Sequence, residues 1–377
     1  MTAAHELGSE PMVQLLSPEG ERLTHPDHDW LLEPDELRAT YRDLVLVRRL
    51  DAEATALQRQ GELGLWASLL GQEAAQVGSA RAMLPQDHAF PTYREHGVAW
   101  CRGVDPLHLL RLFRGTSGGS WDPAVHHLHL YTIVIGAQTL HATGYAMGIQ
   151  RDGAVGTGDA TRDAAVLAYF GDGASSEGDV SEAFVFASVM NAPIVFLCQN
   201  NQFAISESND RQMRVPVYRR SSGFGFPGVR VDGNDVVAVH AVTTSMLDRA
   251  RRGEGPALIE AFTYRMGAHT TSDDPSRYRT QAEVEQWRQR DPIDRLRRYL
   301  DAAGLAGGTF HADLEAEADA LADGWRRAVR GMPDPEPATM FDHVHHGPHA
   351  QVGADRARFE QYEASFEPAG RAGEGGH

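Results

Sequence analysis

The sequence is short of cysteine, of basic side chains and of long apolar runs. Its 377 residues include two cysteines, Cys101 and Cys198, without CxxC spacing, which argues against a disulfide framework or a zinc ribbon. A net charge of −17 disfavours nucleic acid and anionic membranes as partners. No apolar run is long enough to span a bilayer, and the first residues lack the pattern of a secretory signal. We therefore expect a globular chain in a reducing cytoplasm, with neither nucleic acid nor membrane as a partner.

The hydrophobic pattern divides the chain into three parts. Residues 1–30 are polar and lack a clear period, and we expect them to form an N-terminal arm on the surface rather than part of the core. Residues 31–330 carry the helix and strand signals of one α/β domain. Residues 331–377 are predicted to be a C-terminal extension, and its glycine-rich last dozen residues a flexible tail.

Short apolar runs predict buried parallel strands at 166–170 and 194–198, and a third strand at 257–264. Between the first two strands, the pattern predicts a helix that begins near Asp179 and ends near Met190. The resulting fold class is α/β, with a mostly parallel sheet flanked by helices. Further helices are predicted at 34–60, 72–83, 106–114, 281–303 and 311–330.

Polar residues follow the first two predicted strands. Gly171-Asp172-Gly173 ends the first strand, and Asn200-Asn201 ends the second. Because parallel strands end at the same edge of a sheet, both segments belong where such folds bind ligands. Magnesium prefers oxygen ligands, which the Asp172 carboxylate, the Asn201 amide and the Phe203 carbonyl can provide together with phosphate oxygens. The glycines let the backbone approach a diphosphate closely.

Two other interpretations compete with this site. Each segment taken alone is common turn material. A Rossmann dinucleotide site is less compatible, because Gly171–Ser176 lacks the third glycine of GxGxxG and no acidic ribose partner is evident. The combination of the two segments favours a site for a metal and a diphosphate.

At Gly171–Asp179 and Gln199–Ser206, the segments GDGASSEGD and QNNQFAIS resemble the thiamine-diphosphate motif. Their surroundings resemble the alpha subunits of decarboxylating 2-oxoacid dehydrogenases over roughly residues 31–330. Six further motifs in fixed order carry the resemblance: LQRQGELG (57–64), GQEAAQVGSA (71–80), YREHG (93–97), IGAQTLHATG (135–144), RVDGNDV (230–236) and YRMGAHTTSDDPSRYR (264–279).

The resemblance implies a thiamine-diphosphate-binding fold with thiamine diphosphate and Mg²⁺ as cofactors. It implies that Asp172, Asn201 and the Phe203 carbonyl hold the metal, while the backbone N–H groups of Gly173 and Ala174 meet the diphosphate.

Four more residues take cofactor roles by the same resemblance. Tyr93 and Arg94 would reach the phosphates, where a guanidinium can bind bidentately. Ile133 and Ile135 would meet the aminopyrimidine through their backbone, and the Ile135 side chain would support the bent cofactor. Packing in the core is the alternative for both isoleucines, and a surface ion pair is the alternative for Arg94.

His269 matches the catalytic loop histidine of the family, near the diphosphate and the reacting ring. Asp273, Tyr278 and Arg279 match residues that keep this loop ordered, with a solvated charged loop as the alternative. Thr270 stands where animal relatives carry a regulatory phosphoserine. A separate group, His126, His127 and His129, has metal-like composition, but we interpret it as loop structure.

The implied reaction is the oxidative decarboxylation of a 2-oxo acid with transfer of the acyl group to a lipoyl group. In this family the glutamate that activates the cofactor comes from the beta subunit. Glu73 is the one tempting substitute here, but it opens a helix and is interpreted as structural. We therefore expect an α2β2 heterotetramer with a beta subunit, docked on a lipoyl acyltransferase core.

The preferred substrate is less clearly indicated. The loop Thr270–Arg279 resembles the branched-chain type, and Ala67 stands where animal pyruvate enzymes carry a pocket histidine. Asp172, Gln199 and Ala268 differ from animal branched-chain enzymes, which puts the phosphate contact of Gln199 in doubt and leaves a pyruvate dehydrogenase alpha subunit as the alternative. A non-catalytic paralogue is the remaining alternative, and the intact metal and phosphate ligands speak against it.

Overall fold

A computed structural model describes residues 10–117 and 121–366 of the chain. The chain divides into two compact units, Met1–Arg330 and Gly331–His377. The first nine residues of the predicted arm, residues 118–120, and the predicted tail beyond Phe366 lie outside the described residues. The three-part division made from the sequence stays a prediction.

A five-stranded, wholly parallel sheet forms the centre of the first unit. Its strands are β1 (His88–Phe90), β2 (Val166–Gly171), β3 (Ile194–Asn200), β6 (Gly228–Asp232) and β7 (Ala257–Phe262), in the spatial order β1-β2-β3-β7-β6. In register, Gly171 lies opposite Gln199, and Asn200 lies opposite Phe262. Three strands therefore end side by side at one edge. Two short antiparallel strands, β4 (Phe203–Ala204) and β5 (Glu207–Ser208), follow β3.

The three strands predicted from apolar runs are confirmed, each within two residues at its ends. They read as unbroken apolar runs because both faces of the sheet are covered. One face packs on Ala142 and Ala146 of one helix and on Phe184 of another, with Phe170 and Phe196 facing them. On the other face, the Tyr169 hydroxyl hydrogen-bonds Ser79 at 2.9 Å. The edge strands β1 and β6 were not predicted.

Thirteen α-helices occur among the described residues. They are α1 (Pro34–Arg59), α2 (Glu73–Arg81), α3 (His96–Cys101), α4 (Pro106–Arg114), α5 (Pro123–His126), α6 (Ala137–Arg151), α7 (Gly178–Val189), α8 (Asn209–Gln212), α9 (Val236–Arg251), α10 (Gln281–Arg288), α11 (Pro292–Ala302), α12 (Phe310–Arg330) and, in the second unit, α13 (Ala350–Glu363). No helix in residues 10–117 and 121–366 has both the length and the apolar character needed to cross a membrane.

The single helix predicted at 281–303 is wrong, because α10 and α11 are separate. Asp291 lies between them, and its carboxylate accepts hydrogen bonds from the backbone of Ile293 at 2.9 Å and Asp294 at 3.3 Å. Pro292 has no N–H to continue a helix from the preceding turn. An N-cap followed by proline therefore starts a new helix at this point.

The expectation that the arm only lies on the surface is also wrong for its described part. The backbone of Val13 pairs with Arg230 and Asp232 and so extends the sheet beyond its edge strand β6. Leu15 and Leu16 are fully buried. The arm has no helical or strand period because it follows the sheet edge for only a few residues.

The second unit contains a 3-10 turn at Pro337–Phe341 and the helix α13. Phe341 packs against Phe359 with ring centroids 5.6 Å apart. None of residues 331–366 is fully buried.

Candidate functional site

A cavity of about 520 Å³ opens at the carboxyl edge of the sheet. Its walls come from the segments that follow four strands, β1, β2, β3 and β7, and from the chain before α6. The structure brings all ten candidate residues to this cavity: Tyr93, Arg94, Ile133, Ile135, Asp172, Gly173, Ala174, Asn201, Phe203 and His269. A second cavity of about 650 Å³, between α1, α10 and the loop after β7, contains none of the ten.

Asp172 is buried at the end of β2. Its carboxylate accepts a hydrogen bond from the Gln212 amide at 2.9 Å. Burial raises the pKa of Asp172 to about 6, while the hydrogen bonds from Gln212 and the Asn201 backbone oppose the shift. A bound divalent cation would stabilise the ionised form that burial disfavours.

Asn201 and Phe203 present oxygen atoms beside Asp172. The Asn201 amide nitrogen donates to the Gln72 side chain at 3.0 Å, which orients the amide oxygen toward its contact with the Phe203 N–H at 3.3 Å. The Phe203 carbonyl accepts a hydrogen bond from Arg265 at 3.0 Å and keeps a second lone pair. A carboxylate, an amide oxygen and a carbonyl oxygen form a donor set suited to Mg²⁺.

Gln72 supplies an independent indication that the cavity is built for a polar ligand. Its amide nitrogen is buried and has no hydrogen-bond partner among the residues that the structure describes, although its oxygen is held by Asn201. A buried donor without an acceptor costs free energy unless a ligand or water satisfies it. Phosphate oxygens would provide that acceptor, so the residues present fit a metal-bound diphosphate.

Arg94 and His269 form the cationic wall. The buried Arg94 guanidinium donates to the carbonyl oxygens of Ser68 and, at 2.8 Å, of His269. It also lies 3.3 Å from the Nδ1 atom of His269. Because a guanidinium only donates, Nδ1 must accept, which assigns the ring proton to Nε2. Burial, and then the nearby Arg94 and Arg265, lower the pKa of His269 to about 4, so its ring is neutral at pH 7.

The loop after β7 is tied down by the residues expected to order it. Asp273 accepts hydrogen bonds from the backbone of His269 at 2.8 Å and from the Tyr278 hydroxyl. Arg279 donates to the carbonyl oxygens of Met266 and Gly267 at 2.7 and 2.8 Å. These bonds hold His269 against the cavity.

Ile133 and Ile135 contribute an apolar rim. Their side chains are 75% and 41% exposed, and Val134 between them is 71% exposed. Gly136 follows with a φ of +90°, a conformation that a β-carbon disfavours, and α6 begins at the next residue. This exposed apolar segment lies beside the cavity mouth, not in the core.

Two buried charged residues of the cavity were missed by the sequence analysis. Arg265 is buried after β7 and donates to the carbonyl oxygens of Phe203 and Ile205. Glu95 is buried beside Arg94 and accepts from the Gln199 amide. The signal available for Arg265 was a charged residue soon after an apolar strand; Glu95 follows Arg94 directly in the YREHG motif.

Two other groups take the structural roles given to them. Glu73 pairs with Arg48 at 2.8 Å and accepts from the Gly71 backbone at 2.9 Å, and it does not line the cavity. His129 stacks on Phe90 with centroids 3.6 Å apart, and His127 stacks on His88 at 4.3 Å. In the described parts of the chain, no group of three or more His, Cys, Asp or Glu side chains could hold a metal ion.

The fold and the cavity define the class of this protein as an α/β protein with a cavity lined by charged and polar side chains at the carboxyl edge of its parallel sheet. Residues 41–337 match the family model described as dehydrogenase E1 component. The chain belongs to this family, and it is an alpha-type chain of the thiamine-diphosphate-dependent 2-oxoacid dehydrogenases, as the resemblance predicted.

Its curated relatives are similar over most of their length. The 3-methyl-2-oxobutanoate dehydrogenase subunit alpha of Mycobacterium tuberculosis (strain CDC 1551 / Oshkosh) is 45% identical over 338 residues, which cover 88% of this chain and 89% of the relative. The pyruvate dehydrogenase E1 component subunit alpha is 37% identical in Staphylococcus epidermidis (strain RP62A) and 36% identical in Staphylococcus aureus (strain Mu50). Both matches extend over 299 residues and cover 78% of each chain.

Proposed function

We propose that this chain is the alpha subunit of a branched-chain 2-oxoacid dehydrogenase and that it acts on 3-methyl-2-oxobutanoate and related 2-oxo acids. The observation that carries the proposal is the single cavity in which Asp172, Asn201, Arg94 and His269 meet. The reaction is the oxidative decarboxylation of the 2-oxo acid, with transfer of the acyl group to a lipoyl group.

In this proposal, Asp172, Asn201 and the Phe203 carbonyl bind Mg²⁺, and Gly173 and Ala174 donate backbone hydrogen bonds to the diphosphate. Tyr93 and Arg94 bind the same phosphates. Ile133 and Ile135 hold the aminopyrimidine end. When bound, thiamine diphosphate supplies the nucleophilic carbon and the electron sink for decarboxylation.

His269 acts in this proposal as a neutral hydrogen-bond donor. Its Nδ1 atom is directed at Arg94, and therefore Nε2–H is available to an oxygen atom in the cavity. The low pKa of the ring keeps it from adding a positive charge at neutral pH. Its backbone is fixed by Asp273, so the donor is positioned before substrate arrives.

A beta subunit completes the enzyme in this proposal, within an α2β2 heterotetramer that docks on a lipoyl acyltransferase core in the cytoplasm. The exposed apolar rim at the cavity supports a partner chain at this place. On α7 and at its C-cap, four more large apolar side chains are exposed: Val185, Phe186, Val189 and Met190. The names of the relatives as alpha subunits point to the same arrangement.

Two observations favour a branched substrate. Ala67 lines the cavity together with Leu65 and Phe113, so this wall is apolar. The Mycobacterium relative is also more similar than the pyruvate dehydrogenase relatives, at 45% against 37% identity. Pyruvate remains the second candidate because those relatives still match over 78% of the chain.

The proposal is tested by co-expressing the chain with its beta-type partner and measuring kcat/KM for a panel of 2-oxo acids with an artificial electron acceptor. We expect 3-methyl-2-oxobutanoate to exceed pyruvate by roughly 10- to 200-fold, the discrimination that one or two buried methyl groups provide. A higher kcat/KM for pyruvate would establish the second candidate. The chain assayed alone should turn over none of the acids, and turnover without a partner would disprove the need for a beta subunit.

A further inference from the structure

Glu95 is a buried carboxylate that lines the cavity at the carboxyl edge of the sheet, and no cationic side chain of the described residues forms an ion pair with it. Its side chain is 1% exposed. One carboxylate oxygen accepts from the backbone N–H and the hydroxyl of Thr92, both at 2.6 Å. The other oxygen accepts from the Gln199 amide nitrogen. All three partners are neutral donors.

The bond from Gln199 is the last of a series of hydrogen bonds in which each group donates to the next, from Gly97 through Gln76 and Gln199 to Glu95. The backbone of Gly97 donates to the Gln76 oxygen at 2.9 Å. The Gln76 nitrogen donates to the Arg94 carbonyl at 3.0 Å and to the Gln199 oxygen at 3.1 Å. Gln199 then donates to Glu95. The network therefore clamps segment 92–97, which carries Tyr93 and Arg94, to the end of β3.

The bonds to Glu95 favour its ionised form. The Thr92 backbone N–H and the Gln199 amide nitrogen can only donate, so a proton on the oxygen that faces Gln199 would remove an acceptor that the network uses. Burial raises the pKa of Glu95, and the bonds from Thr92 and Gln199 and the charge of Arg94 only partly offset this rise. Three hydrogen bonds thus hold a negative charge in a place where burial disfavours it.

That charge lies next to a guanidinium that lacks an ion-pair partner. Among the ion pairs formed by residues 10–117 and 121–366, none includes Arg94. Its N–H groups donate to the carbonyl oxygens of Ser68 and His269 and to the His269 ring. Burial lowers the pKa of Arg94 and Arg265 adds to the shift, while Tyr93 and then Glu95 oppose it. Glu95 therefore contributes a nearby negative charge without forming an ion pair with the guanidinium, and the N–H groups of Arg94 stay directed at carbonyl oxygens that an anion can replace.

We propose that Glu95 is a positioning residue of the cofactor site, which holds Arg94 and the end of β3 in place for the diphosphate through the Glu95–Gln199 pair. This inference rests on the proposed function, because it assigns the site to thiamine diphosphate. It also gives Gln199 a different role from phosphate binding, since both its oxygen and its nitrogen are engaged by Gln76 and Glu95.

The test exchanges the two side chains. Glu95→Gln is nearly isosteric, but it places an amide nitrogen against donors. Gln199→Glu places two carboxylates against each other. The double variant Glu95→Gln with Gln199→Glu restores one acceptor for every donor, because the new glutamate accepts from positions 76 and 95. Thr92→Val removes one donor to Glu95 and is a milder probe, and Glu315→Gln, at an exposed glutamate of α12, is the matched control.

The measurements use the complex of the chain with its beta-type partner. Calorimetry gives the Kd of thiamine diphosphate at saturating Mg²⁺, and thermal unfolding without cofactor gives the stability. We expect Glu95→Gln to raise the Kd about tenfold or more, as for a disrupted buried hydrogen bond. The double variant should recover most of the affinity, Thr92→Val should raise the Kd less than Glu95→Gln, and Glu315→Gln should change nothing.

An unchanged Kd in Glu95→Gln, or a double variant no better than the worse single variant, would overturn the proposal. If Glu95→Gln does not assemble with the partner, the double variant and Thr92→Val provide the test. A wild-type Kd in Thr92→Val would overturn the proposal. A raised Kd in Thr92→Val, together with near-wild-type affinity in the double variant, would support the proposal. Failure of the proposed function is distinct, because then the wild-type complex itself would not bind thiamine diphosphate with Mg²⁺.

Discussion

At the scale of the residue, the cavity depends on charges that burial would otherwise disfavour. Asp172 is a buried carboxylate whose pKa is raised to about 6, and Arg94 is a buried guanidinium whose pKa burial lowers. Both side chains line the same cavity. A ligand that carries a divalent cation and phosphates would compensate both, which is why these two residues give the sharpest tests of the site.

Asp172→Ala removes the carboxylate from the expected metal site. We expect the Kd of thiamine diphosphate in the presence of Mg²⁺ to rise at least about 100-fold, since a lost ligand should cost no less than a lost supporting contact. Calorimetry on the assembled complex measures it. Asp159→Ala, at an exposed loop position, is the control. Wild-type binding in Asp172→Ala would disprove the metal assignment.

His240 on α9 offers a test of burial that is remote from the cavity. Burial, opposed by Glu36 and reinforced by Arg81, lowers its pKa to about 4. Because the unfolded value is about 6.5, the unfolded chain binds more protons between these pH values. The contribution of neutral His240 to stability is therefore full above pH 6.5 and is lost as the pH falls toward 4.

His240→Gln should remove this dependence. We expect the stability of the variant, relative to the wild type, to improve steadily as the pH falls from 6.5 to 4. Denaturant unfolding of both proteins at several pH values gives the difference directly and cancels the other titrating groups. A difference that does not vary with pH would mean that His240 is not held neutral by the fold.

At the scale of the element, the loop after β7 is a wall shared by two cavities. Thr270 lines both the cofactor cavity and the larger cavity behind the loop. Its hydroxyl lies 3.0 Å from that of Ser272, and the next residue, Thr271, is tied to Trp66 by its backbone at 3.0 Å. A change at Thr270 should therefore affect the order of the loop and access to the cavity together.

Thr270→Glu adds a negative charge next to the proposed diphosphate site. We expect lower activity and faster protease cleavage within the loop, because the carboxylate is repelled by the diphosphate and competes for Arg94. Thr270→Ala adds no charge and should be milder. Cleavage in the presence of cofactor, followed beside activity, measures both effects. If Thr270→Glu alters neither, the loop does not lie against the active site as described.

At the scale of the whole molecule, one carboxylate joins the arm to the domain. Asp235 accepts from the backbone of Leu15 and Leu16, both at 2.7 Å, across more than 200 residues of sequence. Its other oxygen caps α9 through Val237 and Ala238 at 3.1 and 3.0 Å. The described part of the arm, the sheet edge and a central helix are thus stabilised together.

Asp235→Asn keeps one acceptor oxygen for the helix cap but turns an amide nitrogen toward the arm. We expect it to lower the free energy of unfolding by about 1–3 kcal/mol, the cost of buried donors without acceptors. Asp105→Asn, at the exposed cap of α4, should cost much less. Denaturant unfolding gives the magnitude, and protease cleavage near residue 20 reports release of the arm. Equal losses in the two variants would mean that the bonds to the arm contribute nothing.

Local patterns in the sequence determined the central strands, the fold class and the placement of Asp172 and Asn201, because buried parallel strands read as apolar runs and these residues follow the runs to a common edge. The roles of Tyr93, Arg94, Ile133, Ile135 and His269 came instead from the resemblance to the family. The sequence did not reveal that the helix predicted at 281–303 is interrupted before Pro292. Asp291 and Pro292 are a helix-start signal, but the apolar period continues across both residues.

Only the tertiary structure decided which distant groups pair. Glu95 and Gln199 are 104 positions apart, and Asp235 lies 220 positions from Leu15. Hydrogen bonds of this kind leave no period in a sequence, because a buried polar side chain needs one partner in space and any donor of the right reach can provide it. The burial of the arm depends on its bonds to Asp235, and the position of the Glu95 charge near Arg94 depends on its bond from Gln199. Both pairs form only when the folded sheet brings these distant segments together.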